Sequence, residues 1–447
     1  MKLTPDAEKL IAILCGAGYK SYAVGGCVRD FILERPVSDI DICTSALPNE
    51  VEALLEQSGI RYIETGLKHG TVTAVLNKTP YEITTFRTDG EYLDNRRPES
   101  VRFVSDVSSD LARRDFTVNA IAYNADEGFV DLYGGREDIK KGIIRCVGDP
   151  DKRFNEDALR IMRALRFSSV LGFEIEENTR RSLFDNRELL NNIAAERIFI
   201  ELTKLLLGKD CERVLLEYRE IIAVVIPELK PCFDCSQVNR WHIYDVYTHT
   251  VKAVAASEKK DYIRFALLLH DIAKPQCKTL GNDGFEHFYR HPKYSAEIAC
   301  SVLKGFRVSN AFLNKAVTLV ELHDAHFKLT SSSVKKWLRR LGPDLLLDLC
   351  EVKKADLSAH NPVLAKKELS EVERAESFIK EVIDSGEPYL VSDLKINGRD
   401  LIDLGYEGKA IQKELERLIA DVSDIPALNV REKLLIIAEK DYNNYKE

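Results

Sequence analysis

The pattern of apolar and polar residues divides the chain near residue 145. Before that point, short apolar stretches that alternate residue by residue are interspersed with helical patterns. Beyond it, apolar residues recur at the i, i+3, i+4 spacing of helices. The pattern predicts an α+β fold in which a strand-containing first part precedes a long helical remainder. The predicted strands cover residues 21–24, 39–44, 71–76, 81–86, 101–104 and 129–132.

A strand, a glycine pair and a helix follow one another at the start of the chain. The strand is predicted at residues 22–24, the turn at Gly25 and Gly26, and the helix from Val28 onward. Glycines at such a turn let backbone N–H groups face outward, and the positive end of the helix adds to an anion site. Arg29, one turn into the helix, offers a guanidinium fork suited to phosphate.

The next predicted strand carries two aspartates on one face. Asp39 and Asp41 alternate with Ile40 and Ile42, so the carboxylates share one side and the isoleucines point into the core. Two carboxylates that lie close repel each other unless a cation lies between them, and such hard oxygen ligands suit Mg²⁺. An anion site followed by a carboxylate pair indicates two-metal nucleotidyl transfer. Each half taken alone is also compatible with a simple glycine turn and two solvated aspartates.

The strands at 71–76 and 81–86 are predicted to form an antiparallel hairpin. Glu82 in the second strand is a candidate third carboxylate beside Asp39 and Asp41, or simply a glutamate on an edge strand. The polar residues 87–100 that follow predict a functional loop.

A basic segment lies at residues 110–120. Arg113 and Arg114 precede Asp115. Two guanidinium groups at a helix start can hold a triphosphate while Asp115 orients them. A solvated salt bridge is the alternative, and it is favoured when the segment is considered alone.

Residues 154–167 predict one helix with an apolar side and a charged side. Asp157, Arg160 and Arg163 lie on the charged side, each one turn from the next. A solvated helix face explains most such patterns, but an Asp/Arg pair can also read a base edge. Arginine donates to cytosine N3 or adenine N1 and aspartate accepts from the amino group, whereas uracil and guanine present the opposite pattern. The apolar side consists of Ala158, Ile161, Met162 and Leu165.

Eight of the nine histidines lie between residues 241 and 360. His270 and Asp271 follow an apolar run, and His249 and Asp356 lie far from them in the chain. An adjacent His-Asp pair on a buried helix, with distant His and Asp residues, is typical of a metal phosphohydrolase site. A core His–Asp hydrogen bond without metal is the alternative. The set is completed by His287, His291 and His323.

Composition adds three constraints. The net charge of −8, from 64 basic and 72 acidic residues, means that a nucleic acid would be bound by local basic patches. Ten scattered cysteines suit a reducing cytoplasm, and the single CxxC at Cys232 and Cys235 is a weak zinc or redox signal. No apolar run is long enough for a membrane span, and the N-terminal segment predicts an amphipathic helix capped by Thr4, not a secretory signal.

Residues 362–447 predict highly charged helices. Gly398, Gly405 and Gly408 mark turns between short helices. Backbone amides at these turns could contact RNA phosphates, and simple turn chemistry is the equally plausible alternative.

Motifs along nearly the whole chain resemble those of one family. They are GGCVRDFILERPVSDIDICT, HGTVTAVL with YEITTFR, the loop 87–100, DLARRDFTVNAIAYN and RFNEDALRIMRALRF. Together they resemble the class II tRNA nucleotidyltransferases, or CCA-adding enzymes, of the polymerase-β-like nucleotidyltransferase superfamily. The central helical part resembles the HD domain fused to many bacterial members, and LKINGRDLIDLGYEGKAI resembles the family's tail segment. Glu34 stands where the family often has glycine, which should not affect the chemistry.

The resemblance implies an architecture of four parts. These are a mixed-sheet nucleotidyltransferase head at residues 1–145, a helical neck that recognises the base at 146–235, an HD-type helical body at 236–360 and a tRNA-binding helical tail at 361–447. The tRNA acceptor arm would run along the basic side, with its 3′ end in the head.

The resemblance also implies roles for individual residues. Asp39 and Asp41 would be catalytic and hold Mg²⁺, and Asp157 and Arg160 would read the base. In the HD part, the ligands of a second divalent transition metal would be His249, His270, Asp271 and Asp356. The residues that bind the nucleotide would be Gly26, Arg29, Arg114, Asp157, Arg160, Arg163 and Arg166.

The implied function is template-independent addition of CCA to the tRNA 3′ end from CTP and ATP. The nearest rival, which shares all these motifs, is an A-adding enzyme that works beside a CC-adding partner, and a bacterial poly(A) polymerase is another rival. The intact loop 87–100 argues against an enzyme that adds only CC, and the HGTVT and EITTFR segments disfavour poly(A) synthesis. A rival from another class is an HD metal phosphohydrolase whose head only binds RNA. The complete set of nucleotidyl-transfer residues in the head argues against this phosphohydrolase rival.

Overall fold

The computed structural model describes residues 3–37, 39–67, 70–90 and 101–446. The chain forms two compact units, Met1–Pro227 and Glu228–Glu447. The finer division at residues 145, 235 and 360 stays a prediction.

The first unit combines strands with short helices. Its strands are β1 (Ser21–Val24), β2 (Ile42–Thr44), β3 (Arg61–Gly66), β4 (Thr71–Leu76), β5 (Thr79–Thr85), β6 (Arg87–Asp89), β7 (Val101–Phe103), β8 (Ala122–Asn124), β9 (Gly128–Val130), β10 (Ile143–Ile144) and β11 (Glu174–Ile175). Its helices are α1 (Pro5–Gly16), α2 (Gly26–Ile32), α3 (Pro48–Gln57), α4 (Val107–Ala112), α5 (Gly135–Lys141), α6 (Pro150–Glu156), α7 (Leu159–Leu171), α8 (Glu177–Asp185), α9 (Ala195–Leu206), α10 (Cys211–Glu217) and α11 (Arg219–Val225).

Seven strands form one mixed sheet in the order β3-β4-β5-β2-β1-β8-β9. β2 and β5 are parallel, and every other neighbouring pair is antiparallel. β4 and β5 form the predicted hairpin. β3 and β8 were not predicted, because β3 is mostly polar and exposed and β8 is only three residues long. β7, predicted as an ordinary strand, pairs only with β6 in a separate two-stranded sheet.

The N-terminal helix begins as predicted. The Thr4 hydroxyl accepts a hydrogen bond from Ala7 N at 3.3 Å, and Pro5 occupies the first turn. Because Pro lacks an N–H and fixes φ, it fits this position without losing a hydrogen bond.

The single helix predicted at residues 154–167 is wrong: two helices, α6 and α7, meet there. Asp157 has extended backbone angles, φ −137° and ψ 101°. Its side chain accepts a hydrogen bond from Leu159 N at 3.1 Å, which satisfies one of the free N–H groups at the start of α7. The predicted apolar side is nevertheless correct, because Ala158, Ile161, Met162 and Leu165 are all fully buried.

The second unit is almost entirely helical. Its helices are α12 (Val246–Ala256), α13 (Asp261–Leu269), α14 (Lys274–Cys277), α15 (His291–Gly305), α16 (Asn310–Leu322), α17 (Ser331–Ser358), α18 (Pro362–Asp384), α19 (Gly398–Asp403), α20 (Lys409–Asp424) and α21 (Arg431–Lys446). A kink at Gly342 divides α17. The strands β12 (Lys278–Leu280) and β13 (Glu286–Phe288) add a short hairpin that the sequence pattern did not predict.

The α+β fold class is thus confirmed. In the tail, Gly405 and Gly408 have positive φ and lie at the predicted turns, whereas Gly398 begins α19. No helix in the described ranges is long and apolar enough to cross a membrane.

Replacing Gly135 by alanine should destabilise the first unit. A Cβ at Gly135, the first residue of α5, would lie 2.1 Å from Thr117 O and 2.8 Å from an Ile121 side-chain carbon. Overpacking of this kind costs about 1–3 kcal/mol, so the thermal or urea midpoint should fall. Gly16→Ala is the matched control, because a Cβ at that helical position meets no atom within 4 Å. Equal midpoints for the two variants would contradict the close contact at Gly135.

Candidate functional site

The turn between β1 and α2 requires glycine. Gly25 has φ +81°, its N–H donates to Ile121 O at 3.1 Å, and an added Cβ would lie 3.1 Å from Arg114 Nη1. Positive φ is unfavourable for residues with a Cβ, so both the backbone angle and the nearby guanidinium favour glycine here. Gly26 is the first residue of α2, as predicted.

Arg29 lies at this turn but already has partners. Its guanidinium donates to both carboxylate oxygens of Asp30, at 3.0 and 2.9 Å, and to Asn119 Oδ1 at 2.6 Å. The side chain is mostly buried and lies over the Phe167 ring, 5.1 Å from its centre. The arginine is therefore held in a fixed position at the edge of the site.

The predicted aspartate pair precedes β2 instead of lying within it, because the strand begins at Ile42. The alternation still holds, since Asp39 and Asp41 are exposed while Ile40 and Ile42 are buried. Val24 N donates to Asp41 O at 3.0 Å, which fixes the backbone of the second aspartate against β1.

Glu82 lies beside the second aspartate. Ile42 pairs with Ile83 in the parallel β2–β5 ladder. Asp41 and Glu82 each come one residue before a member of this pair. β5 has neighbours on both sides, so the interpretation of Glu82 as an edge-strand residue is wrong. Although Asp41 remains accessible to solvent, the protein atoms around its carboxylate partly desolvate it, and this, followed by the charge of Glu82, raises the pKa of Asp41 above its usual value. A bound cation would relieve the repulsion between the Asp41 and Glu82 carboxylates, so these oxygen ligands fit Mg²⁺.

A cavity of about 560 Å³ opens beside these carboxylates. Phe167 forms part of its wall, with the guanidinium carbons of Arg163 and Arg166 at 5.5 and 4.1 Å from the ring centre. Burial lowers the pKa of Arg166 to about 10, which still leaves it charged at neutral pH. The charged residues of the wall are Arg29, Asp41, Arg114, Asp115, Arg163, Arg166 and Lys204.

The acidic partners of the basic segment differ from the prediction. Asp110, not Asp115, holds the two arginines: Arg113 at 2.8 Å and Arg114 at 3.2 Å. Asp115 instead accepts two hydrogen bonds from Arg163, at 2.8 and 2.5 Å. Burial alone would raise the pKa of Asp115, but the Arg163 guanidinium outweighs it and lowers that pKa to about 2.

The predicted base-reading pair lies outside the lining of this cavity. Asp157 Oδ2 accepts from Arg197 at 3.2 Å. Arg160 is buried and donates to Glu156 at 2.8 Å and to the carbonyls of Arg153 and Arg113 at 3.1 and 2.9 Å. These bonds use three of its five N–H donors. The side chains of Asp157 and Arg160 do not bond to each other, and Arg163 bonds to Asp115 instead of Asp157.

Six residues of the cavity lining were not predicted: Asn119, Phe167, Val170, Leu171, Lys204 and Leu207. Asn119 and Phe167 lie within the quoted motifs; the aromatic ring of Phe167 directly after Arg166 was an available signal, whereas the contact of Asn119 with Arg29 joins residues 90 positions apart. Lys204 is on α9, and no local pattern distinguishes it from other surface lysines. The predicted loop 87–100 starts with β6, and its residues 91–100 lie outside the described ranges.

In the second unit, the four predicted HD residues come together. His249 Nε2 lies 2.8 Å from Asp356 Oδ1 and 3.5 Å from Asp271 Oδ2. His270 Nε2 lies 3.2 Å from Asp271 Oδ2 and 3.4 Å from Asp356 Oδ1. Two imidazoles and two carboxylates in this arrangement fit a divalent transition cation. His291 and His323 lie on the other side of Asp271, whereas His287 pairs with Asp283.

The electrostatics of this cluster favour positive charge. Burial opposes protonation of His270, but the Asp271 carboxylate outweighs burial and raises the pKa of that imidazole to about 10. Lys274 Nζ lies 2.6 Å from Asp271 Oδ2 and adds a further positive charge. All ten cysteines are free, and neither Cys232 nor Cys235 belongs to a ligand cluster found among the described residues.

Three family models match the chain in sequence order. They are the poly A polymerase head domain at residues 21–145, the probable RNA and SrmB-binding site of polymerase A at 172–233, and the HD domain at 242–359.

Curated relatives are about half identical over part of their length. The CCA-adding enzyme of Lactobacillus delbrueckii subsp. bulgaricus is 50% identical over 215 residues, which are 48% of this chain and 52% of that protein. The CCA-adding enzyme of Oceanobacillus iheyensis is 47% identical over 227 residues, 51% of this chain and 55% of that protein. In these alignments the chain spans about half the length of the curated relatives it matches.

A solved structure extends the similarity over the whole chain. The Bacillus stearothermophilus CCA-adding enzyme in complex with CTP has a TM-score of 0.74 and 28% identity, with 99% of each chain covered. A CCA-adding enzyme complex with ATP, at 22% identity and TM-score 0.59, shares the fold. Residues 21–145 and 242–359 therefore match the poly A polymerase head domain and the HD domain, and the chain as a whole is similar in sequence and in fold to a CCA-adding enzyme.

Proposed function

We propose that this chain adds CCA to the 3′ end of tRNA, using CTP twice and ATP once and releasing pyrophosphate each time. The observation that carries the proposal is the Asp41 carboxylate, which lines a cavity walled by four arginines and feels the charges of Glu82 and Asp39. A polyanionic nucleotide with bound Mg²⁺ needs both kinds of charge. The curated relatives that are about half identical over part of their length are CCA-adding enzymes.

In each step the terminal ribose 3′-OH of the tRNA attacks the α-phosphate. The new O–P bond replaces the bond to the β-phosphate, and pyrophosphate leaves. Asp39 and Asp41 would hold Mg²⁺, which would neutralise charge and activate the hydroxyl. Arg114 and Arg166 neutralise the triphosphate, and the glycine turn lets the phosphates approach the backbone N–H groups at Gly26.

For base selection, we assign Asp157 and Arg160 as the reading pair. Asp157 is partly exposed, and its carboxylate can accept an amino group while it keeps the bond to Arg197. Arg160 has N–H donors beyond the three bonds described above. Arg163 is held by Asp115 and shapes the cavity beside Phe167.

The macromolecular substrate is the tRNA acceptor arm, bound through phosphate contacts that do not read sequence. We further place the protein in the cytoplasm, a proposal supported by ten free cysteines. In the HD domain, we assign one divalent transition cation to His249, His270, Asp271 and Asp356, whose ligand atoms converge.

Three tRNA transcripts test the proposal, one ending before CCA, one after C and one after CC. Each is incubated with Mg²⁺ and CTP, ATP or both. Completion of all three ends supports CCA addition. Extension of the CC-ended tRNA alone, by ATP alone, would identify an A-adding enzyme, and long A-tails would identify a poly(A) polymerase. No extension of any transcript would favour the phosphohydrolase alternative.

Glu82→Gln tests the third carboxylate. The amide keeps the shape but removes one negative charge beside Asp41, so the Mg²⁺ concentration required for half-maximal transfer should rise about tenfold, or about 1.4 kcal/mol of binding. Glu64→Gln is the control, because Glu64 is an exposed glutamate on the edge strand β3. Identical Mg²⁺ dependence for both variants would assign Glu82 no part in the metal site.

A further inference from the structure

Three arginines of the cavity wall share one aromatic ring, that of Phe167 on α7. The guanidinium carbons of Arg166, Arg29 and Arg163 lie 4.1, 5.1 and 5.5 Å from the centre of this ring. A cation within about 6 Å of a ring centre is attracted to the negative charge of the ring face. Arg29 is on α2 and the other two arginines are on α7, so the ring joins two helices that border the cavity.

The ring itself has little freedom to move. Phe167 is 7% exposed, and Phe116, which packs against it, is fully buried. The two ring centres are 5.8 Å apart, with 80° between the ring planes. Aromatic pairs with this edge-to-face geometry are favourable. Phe167 therefore offers the three guanidinium groups a surface in a fixed place.

Each of the three arginines also has a carboxylate partner. A carboxylate fixes a guanidinium, but it also cancels the positive charge and repels an approaching phosphate. The ring of Phe167 attracts a cation and carries no net charge, so it fixes the arginines and leaves their charge available to a ligand. The ion pairs are Arg29 with Asp30 at 2.9 Å, Arg166 with Glu201 at 3.1 Å and Arg163 with Asp115 at 2.5 Å.

The three arginines repel one another when no anion is bound. Burial contributes most to the low pKa of Arg166, and the charges of Arg163 and Arg29 lower it further. Side chains of like charge turn away from one another unless other contacts hold them. All three nevertheless line the same cavity of about 560 Å³. The shared ring therefore offsets part of their repulsion, and a polyphosphate in the cavity would offset more of it.

We propose that Phe167 is a positioning residue for the triphosphate. Its ring holds the three arginines at the cavity wall, where together they bind the phosphates of the incoming nucleotide. The inference rests on the nucleotidyl transfer proposed above and adds a residue to it. Phe167 acts on the phosphates only through the arginines. Because Asp157 and Arg160 lie outside the lining of the cavity, the ring has no part in base selection.

Calorimetric titration of the full chain with ATP and with pyrophosphate, each with Mg²⁺, tests the proposal. Phe167→Leu removes the ring and should raise both dissociation constants about tenfold, or about 1.4 kcal/mol of binding. The KM for ATP on a CC-ended tRNA should rise similarly, with a smaller change in kcat. The ratio of kcat/KM for CTP to that for UTP should stay parental. Phe167→Tyr keeps the ring and should keep the parental dissociation constants.

Phe173→Leu is the matched control, because Phe173 is 8% exposed in the same unit and is not part of the cavity lining. It should lower the thermal midpoint as Phe167→Leu does but leave both dissociation constants parental. Phe167→Met is a second variant without a ring. Since the flexible methionine side chain fills irregular space, this variant should fold and should match Phe167→Leu in binding.

Parental dissociation constants in both Phe167→Leu and Phe167→Met, or an equal rise in Phe167→Tyr, would overturn the role of the ring. Failure of the proposed function gives different results. A parental protein that binds both ligands but extends no tRNA would contradict nucleotidyl transfer, while the binding data would still decide the role of the ring. A parental protein that binds neither ligand would contradict both.

Discussion

Asp41→Asn should reduce nucleotide addition about a thousandfold while the protein still binds tRNA. Asparagine keeps the size of the side chain but removes one of the negative charges that we propose hold Mg²⁺, next to Glu82. Metal stabilisation of a phosphoryl-transfer transition state is worth several kcal/mol. A loss of about 4 kcal/mol corresponds to about 10³ in rate.

The measurement is single-turnover extension of a CC-ended tRNA by ATP, together with a tRNA mobility-shift titration. Asp126→Asn is the control, because Asp126 is an exposed aspartate in the turn between β8 and β9 of the same unit. It should keep the parental rate. If the Asp41 variant kept a tenth of the rate or more, the carboxylate site would be wrongly assigned.

Asp157→Ala should lower discrimination against UTP about 10- to 100-fold. A hydrogen bond to a charged group contributes about 1.5–3 kcal/mol, and the carboxylate rejects uracil because O4 of uracil is an acceptor. The readout is the ratio of kcat/KM for CTP to that for UTP on a tRNA that lacks CCA.

Asp157 also caps α7 through Leu159 N, so alanine removes two functions at once. Asp157→Ser separates them: serine is a good capping residue but is too short to reach a base. It should keep the thermal midpoint and still lose discrimination. Asp185→Ala removes an exposed carboxylate at the end of α8 and should change neither quantity. Parental discrimination in Asp157→Ser would show that the base is read elsewhere.

Alternation and spacing were sufficient to predict several features of both sites. Asp39 and Asp41 alternate with buried isoleucines whether or not the segment is a regular strand, because an extended chain already separates the two sides. Spacing in the HD part grouped a wider set of histidines that included His287, which pairs with Asp283, and the four residues His249, His270, Asp271 and Asp356 were singled out by the family resemblance.

The break at Asp157 was not predictable from periodicity. From Ala158, just before α7, the apolar residues recur at the spacing that one continuous helix would also give. At the break, Asp157 has an extended backbone and its carboxylate accepts a hydrogen bond from Leu159 N. An aspartate in a helical pattern does not indicate whether it will cap a helix or continue one.

The sequence also did not indicate which charged residues pair with each other. Arg163 lies 48 residues from its partner Asp115 and closer in the chain to Asp157, yet the packing of α7 next to the segment after α4 decides the pair. Lys204 reaches the cavity for the same reason, because only tertiary packing brings α9 to that wall. Local spacing carries no information about contacts of this kind.

Sequencing the 3′ ends of one tRNA species tests the central claim most directly. A transcript that lacks CCA is incubated with the protein, Mg²⁺ and all four nucleoside triphosphates, and the products are read individually. The account predicts ends that carry C, C and A in that order and then stop. Unextended ends, ends with uridine or guanosine, or tails that continue past the adenosine would contradict it.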